Sequence, residues 1–144
     1  MNQRYALYQQ TSVNTSDPMK LVLMLYDGAI NFLRKAIECA QRKDLRQKNL
    51  LMKRAGDIIM ELNNSLNVEV GGEMAKRLRN LYFFMTRSLV QANVKNDVQK
   101  TEEVVKILVN LREGWQEAYN QVAGQTPLLH QGEAPFYERR GLRI

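Results

Sequence analysis

Hydrophobic residues recur every three or four positions along four long stretches of the sequence, residues 17–42, 44–67, 73–95 and 97–122. This spacing places the apolar side chains of each stretch on one face of an α-helix. Each helix would be about 33–39 Å long at 1.5 Å per residue, and the connections between the helices are short. The pattern therefore predicts an all-α fold, an antiparallel up-and-down four-helix bundle.

Capping side chains precede three of these stretches. Asp17, or the serine before it, can cap the first helix, and Pro18 stands in the first turn, where its missing N–H is not needed. Asp44 and Asp97 hold the same place before the second and fourth helices. Residues 68–72 end in two glycines and are predicted to form a loop before the third helix.

In each helix one series of residues is predicted to face the core. The four series, in chain order, are Met19, Val22, Tyr26, Ala29, Leu33, Ala36 and Ala40; Leu45, Met52, Ala55, Ile59, Leu62 and Leu66; Met74, Leu78, Leu81, Met85, Ser88 and Ala92; and Val104, Leu108, Leu111, Trp115, Ala118 and Val122.

The first and third helices carry more apolar residues than one core face needs. Residues 21–26 form an unbroken apolar run. The apolar residues that lie off the core series of the third helix include Tyr82, Phe83, Phe84, Val90 and Val94. Either these residues fill a wide core or they line grooves for an amphipathic partner helix, and together they favour grooves. Gly28 costs about 1 kcal/mol within a helix, which a close approach of another helix or of a ligand backbone would explain.

The two ends of the chain differ from the helical stretches. Residues 1–16 are polar but include Tyr5, Leu7 and Tyr8, and they are too short to form a stable helix alone. They are expected to form a mobile leader, at most a short helix. Glycines and prolines interrupt residues 123–144, which are expected to form a flexible tail. The predicted organisation is a leader (1–16), a bundle domain (17–122) and a tail (123–144).

Charge and composition narrow the class of protein. The formal net charge of +6 is spread along the chain without a block of five basic residues, and its densest cluster, Arg34 to Arg54, is expected on helical faces. We therefore predict no nucleic-acid partner, and a nucleic-acid or anionic-surface binder remains the rival interpretation. Apolar runs are far shorter than the ~20 residues that span a bilayer, which predicts no stable membrane insertion. The polar start lacks a secretory signal, and the single cysteine fits a cytoplasmic location.

No arrangement of reactive side chains indicates catalysis. Cys39 and His130 would fall in a helix and in the tail, whereas a catalytic pair must be held within hydrogen-bond reach. Glu102 and Glu103 are adjacent and diverge on a helix. The sequence therefore predicts no catalytic residue, no metal site and no cofactor, with an enzyme built on the bundle as a second rival.

Four stretches, in this order, resemble the flagellin-specific export chaperone (FliS) family. Residues 17–29, Asp-Pro-x-x-Leu-x-x-Met-Leu-Tyr-Asp-Gly-Ala, are similar to its signature, and Tyr5 and Tyr8 are similar to its tyrosine-bearing leader. Residues 81–97 resemble its third helix and the following turn, and Trp115 resembles its fourth-helix tryptophan. Nothing in the tail matches the family.

The resemblance implies a cytoplasmic, non-enzymatic chaperone. Its partner would be the disordered C-terminal region of flagellin, which it would keep from premature polymerisation and help deliver to the export gate of the flagellar type III secretion system. Asn93, Asn96 and Asp97 are expected to cap a turn, and Trp115 to lie in the core. The predicted partner-binding residues are Tyr5, Leu7, Tyr8, Leu21, Leu25, Tyr26, Ile58, Tyr82, Phe83 and Val90.

Overall fold

Residues 17–122, which the computed structural model describes, form four α-helices. Their bounds are Pro18–Gln41 (α1), Leu45–Asn64 (α2), Val68–Lys95 (α3) and Val98–Val122 (α4). α1 packs against α2 and α4, and α3 closes the ring by packing against the same two helices. The fold is the predicted antiparallel four-helix bundle. The predicted leader and tail, 1–16 and 123–144, lie outside the described residues.

The predicted helix caps are confirmed. Asp17, Asp44 and Asp97 each accept a hydrogen bond from a backbone N–H two or three residues ahead, which satisfies one free donor of the helix that follows. Pro18 is the first residue of α1. The three accepted N–H groups belong to Met19, Gln47 and Lys100, at 3.1, 3.3 and 3.0 Å.

The loop predicted at residues 68–72 is wrong. Asn67 caps a helical turn there by accepting the Val70 N–H at 3.2 Å, so α3 begins five residues earlier than the periodicity indicates. Gly72 then interrupts the helix with φ 59° and ψ −135°, a conformation that only glycine adopts without strain. The glycine marks a kink inside α3 rather than the loop before it.

Most residues of the predicted core series are buried, and two are exposed. Leu45 and Met74 are exposed, because the α2 core face begins further along and Ala75 takes the core position at the start of α3. Four other members are half-buried: Ala40, Leu81, Leu111 and Ala118. The side chain of Val122, the last member of the α4 series, is not described.

Gly28 lies at a close approach of α1 and α2. A Cβ built on it would meet Ile58 Cδ1 at 3.3 Å, which is tighter than ordinary van der Waals contact. Of the two explanations that the sequence left open, the structure supports the helix–helix approach.

Candidate functional site

Three aromatic side chains from α1, α3 and α4 form a hydrogen-bonded cluster in the core. The hydroxyls of Tyr26 and Tyr82 lie 2.5 Å apart, and the indole N–H of Trp115 donates to the Tyr26 hydroxyl at 3.0 Å. All three side chains are buried. Buried polar atoms are stable only when they are paired, so this cluster fixes how the three helices sit against one another.

Burial sets the protonation of the two tyrosines. Loss of hydration raises the pKa of Tyr82 to about 12 and raises that of Tyr26 well above its ordinary value. Both hydroxyls are therefore neutral near pH 7, each with a proton to donate. The cluster is a structural element and offers no group that ionises at physiological pH.

Two charged contacts tie neighbouring helices together. Lys48 of α2 is buried, and its Nζ donates to the carbonyl of Asn93 at 3.1 Å and to the side chain of Asn96. It thus satisfies the C-terminal end of α3, whose carbonyls lack helical partners, while burial lowers the pKa of Lys48. Arg112 of α4 donates to both carboxylate oxygens of Asp27 on α1, at 2.6 and 3.3 Å.

An exposed apolar stripe runs along the outer face of α3. It consists of Phe83, Val90 and Val94, which are 39%, 61% and 76% exposed. At about 100° per residue these positions lie within about 40° of one another, over a length of about 17 Å. They face away from Met85 and Ala92, which are buried. We call these three residues the α3 stripe.

A groove between α3 and α4 borders the α3 stripe. Its volume is about 420 Å³, and Phe84, Val104 and Ile107 supply its apolar lining. Phe84 is 48% exposed. Stripe and groove together offer an apolar surface of the width and length that an amphipathic helix can cover.

The predicted partner-binding residues fall into three groups. Phe83 and Val90 are exposed on the α3 stripe. Tyr5, Leu7 and Tyr8 lie outside the described residues. The remaining five are buried, which corrects the expectation that they form an exposed face. These five residues fill a wide core, which was the alternative interpretation of the excess apolar residues. They are Leu21, Leu25, Tyr26, Ile58 and Tyr82.

The unbroken apolar run of residues 21–26 shows why residues predicted to bind a partner are buried instead. Five of its six side chains are buried and only Met24 is partly exposed, so α1 is enclosed on several sides. Val94 was among the excess apolar residues of the third helix but not among the predicted contacts, although it lies four residues from Val90 and eleven from Phe83. That spacing identifies one helical face. It does not tell whether the face is buried.

Neither a metal centre nor a membrane-spanning segment is found among residues 17–122. The described side chains include no group of three or more His, Cys, Asp or Glu placed to hold a metal ion. No described helix is long and apolar enough to cross a bilayer. Cys39 is buried, and its Sγ accepts a hydrogen bond from Arg42 Nη2 at 3.4 Å.

Comparison with known proteins identifies close relatives of this sequence. Residues 1–122 match the family model described as flagellar protein FliS. The chain is 40% identical over 114 residues to the flagellar secretion chaperone FliS of Bacillus subtilis (strain 168), covering 79% of this chain and 84% of that protein. The protein of the same name from Campylobacter jejuni is 34% identical, with 83% of this chain and 93% of the relative covered.

A solved structure has the same fold. The structure, titled as a crystal structure of a flagellar chaperone from bacteria, superposes with a TM-score of 0.69 at 24% identity. The match covers 83% of this chain and 97% of that one. At this identity the likeness supports the four-helix bundle alone.

Proposed function

This chain belongs to the family of the flagellar protein FliS, and we propose that it is a flagellar export chaperone whose client is the disordered C-terminal region of flagellin. The family match over residues 1–122 is the observation that carries the proposal. The α3 stripe supports it, because an exposed apolar face without a partner in the bundle is typical of a protein-binding surface.

The proposed mechanism is binding without chemistry. A disordered segment loses conformational freedom when it binds, so it wraps a large surface at a modest affinity per unit area and can be released later. Covering apolar segments of flagellin in the cytoplasm would prevent premature polymerisation. The loaded chaperone would then deliver flagellin to the export gate of the type III apparatus. No reaction is part of this cycle, so we propose that the protein is not an enzyme.

We assign the direct client contacts on the bundle to the α3 stripe. Phe83 and Val90 were predicted from the sequence, and the structure adds Val94. Fully burying a valine or phenylalanine side chain stabilises by about 1.5–3 kcal/mol, so each partly exposed residue of the stripe offers about 1–2 kcal/mol. The five buried residues of the predicted set contact the client only if the helices separate, and for them contact stays a prediction.

Isothermal titration of the full-length chain with a flagellin C-terminal peptide tests the proposal. A flagellin N-terminal peptide is the control for the client, and it should not bind. Val90→Ser should weaken binding of the C-terminal peptide about five- to tenfold, which is about 1–1.4 kcal/mol. Leu45→Ser removes an exposed apolar side chain from α2, outside the α3 stripe, and should leave the affinity within about twofold.

Failure of the C-terminal peptide to bind would refute the proposed client. Equal losses in Val90→Ser and Leu45→Ser would refute the α3 stripe as the site. A steep loss of affinity between low and moderate salt would favour the rival anionic-surface binder, because burial of apolar helices responds little to salt whereas contacts with a polyanion respond strongly.

The predicted leader has a test of its own. Tyr8→Ala should weaken client binding with little change in melting temperature, since we propose that Tyr5, Leu7 and Tyr8 take part in holding the client. An unchanged dissociation constant would remove the leader from the binding site.

A further inference from the structure

The positive charge of this protein is concentrated on one hairpin. Residues 31–54, the second half of α1 and the first half of α2, contain eight Lys or Arg and two Asp or Glu. Their excess of six positive charges equals the formal net charge of the whole chain, +6. The remainder of the sequence is therefore neutral on balance. Packing of α1 against α2 brings the positions of this cluster together in space.

A groove between α1 and α2 lies within this charged region. Its volume is about 650 Å³, and it extends from Gly28 and Asn31 to Arg42 along α1, about 20 Å at 1.5 Å per residue. Three cationic side chains line it: Lys35 and Arg42 from α1 and Arg54 from α2. We call it the basic groove.

The floor of the basic groove is apolar. Phe32 and Cys39 of α1 and Leu51 of α2 line it, and all three belong to or pack against the hydrophobic core. The cations are placed over this floor. The Arg54 guanidinium lies 5.9 Å from the centre of the Phe32 ring, a cation–π distance, and Arg42 Nη2 donates to Cys39 Sγ at 3.4 Å.

The groove cations have no carboxylate partner in the bundle. The ion pairs seen between described side chains include Arg112 with Asp27 and two within single helices, Lys53 with Asp57 and Lys76 with Glu73. None of them uses a lining residue of the basic groove. Two guanidinium groups beside an apolar floor, without an ion-pair partner, are suited to bind carboxylates in a bidentate manner.

We propose that the basic groove is a docking site for an acidic amphipathic helix of a second protein partner, distinct from the flagellin client. About 14 residues of helix would fill the 20 Å length. Leucine-like side chains would pack on the floor, and Glu or Asp at flanking positions would pair with Lys35, Arg42 and Arg54. A nucleic acid fits less well, because Glu38 also lines the groove and would repel phosphates, and because the floor is apolar.

The position of the groove allows both partners to bind at once. Since α1 packs against α2 and α4 while α3 packs against the same two helices, the outer surfaces of the α1–α2 and α3–α4 pairs lie on opposite sides of the bundle. The basic groove and the groove beside the α3 stripe therefore do not overlap.

Titration of the full-length chain with designed peptides tests the proposal. The probe is a 14-residue helix with leucines on one face and glutamates on its flanks, and its matched control carries lysines in place of the glutamates. The acidic peptide should bind one to one, with amide chemical-shift changes at Phe32, Cys39 and Leu51, and the lysine peptide should not bind. Arg42→Glu should raise the dissociation constant at least about tenfold.

Arg46→Glu is the matched control variant. Arg46 is an exposed arginine on the same hairpin that does not line the groove, and its replacement should change the affinity less than about twofold if the groove is the site. Equal losses in the two variants would show attraction by net charge alone and would overturn the proposal. Absence of acidic-peptide binding, or shift changes confined to α3, would also overturn it.

Two further measurements separate this proposal from its alternatives. A ten-nucleotide oligothymidine that binds more tightly than the acidic peptide and displaces it would overturn the proposal in favour of a nucleic acid. Binding of the flagellin C-terminal peptide should be unchanged by Arg42→Glu. If that variant abolished client binding, the basic groove would belong to the client site. If the client peptide failed to bind at all, the function proposed above would fall, whereas the result with the acidic peptide would stand.

Discussion

The tyrosine–tryptophan cluster allows a sharp test of the core, because its three members do not contribute equally. The Tyr26 hydroxyl makes two hydrogen bonds, one with Tyr82 and one with the indole N–H of Trp115. For Tyr82 the hydroxyl bond with Tyr26 is the one seen in the structure. Replacing each tyrosine by phenylalanine removes a single oxygen atom and keeps the ring, so the difference between the variants reports the hydrogen bonds.

The expected magnitudes follow from that count. A typical buried hydrogen bond contributes about 0.5–1.5 kcal/mol, and a buried donor left without a partner costs about 1–3 kcal/mol. Tyr82→Phe removes one bond and leaves Tyr26 paired with Trp115, so it should lower the free energy of unfolding by about 1 kcal/mol. Tyr26→Phe removes both bonds and takes from the Trp115 N–H and the Tyr82 hydroxyl the partner that each has in the structure, so the loss should be about 2–4 kcal/mol.

Urea unfolding, followed by helical circular dichroism, measures these values in the two single variants and the double variant. The double variant should lose about 1 kcal/mol less than the sum of the single losses, because the Tyr26–Tyr82 bond is counted in both. The reasoning would be refuted if Tyr82→Phe cost as much as Tyr26→Phe, or if the two losses were additive.

Three further predictions concern the lysine cap, the glycine contact and alkaline stability. Lys48→Met should lower the free energy of unfolding by about 1–2 kcal/mol, because a charged hydrogen bond at the end of α3 is lost. The control is Lys53→Met, which removes an exposed ion pair and should change the free energy of unfolding by less than about 0.5 kcal/mol. In the same urea assay the unfolding free energy of Gly28→Ala should stay within about 1 kcal/mol of wild type, because the better helix propensity of alanine offsets the close contact with Ile58 Cδ1. Gly28→Val should lower it by about 1–3 kcal/mol by overpacking. An unchanged valine variant would contradict the close approach of the helices. Burial raises the pKa of Tyr82 to about 12, above its value in the unfolded chain. Its neutral hydroxyl therefore contributes roughly 3 kcal/mol of stability below pH 10, which is lost as the pH rises from 10 to 12. The unfolding free energy of Tyr82→Phe should fall less steeply over that range than that of the wild type, and parallel curves would contradict the raised pKa.

Local patterns in the sequence predicted the helices well. The three capping aspartates and the predicted ends of α1, α2 and α4 agree with the structure to within a few residues. Caps and apolar spacing act over one or two turns of chain, so the residues that decide them are adjacent in sequence. The predicted start of α3 was five residues too late, because one helical turn, capped by Asn67, precedes the interruption of the helix at Gly72.

The burial of apolar residues was predicted less well, and Tyr82 shows the reason. Its position off the core series favoured a groove residue, but it is buried, and its hydroxyl pairs with that of Tyr26, which in turn accepts the Trp115 N–H. The prediction for Met74 was wrong in the opposite sense, because this residue of the core series is exposed. Periodicity identifies the faces of a helix. The rotation of that helix against its neighbours decides which apolar face is covered.

The sequence by itself determined the four helices, their antiparallel order, the absence of a recognisable catalytic motif and the resemblance to the FliS family, because these depend on short-range spacing and on motifs readable along the chain. The tertiary structure alone decided which apolar residues form the α3 stripe and which enter the core. It also decided that three basic residues of the cluster at 31–54, Lys35, Arg42 and Arg54, line a groove with an apolar floor. Spacing along the chain places these side chains on helical faces, but only the packing of whole helices decides which face stays exposed and which pair of helices forms a groove.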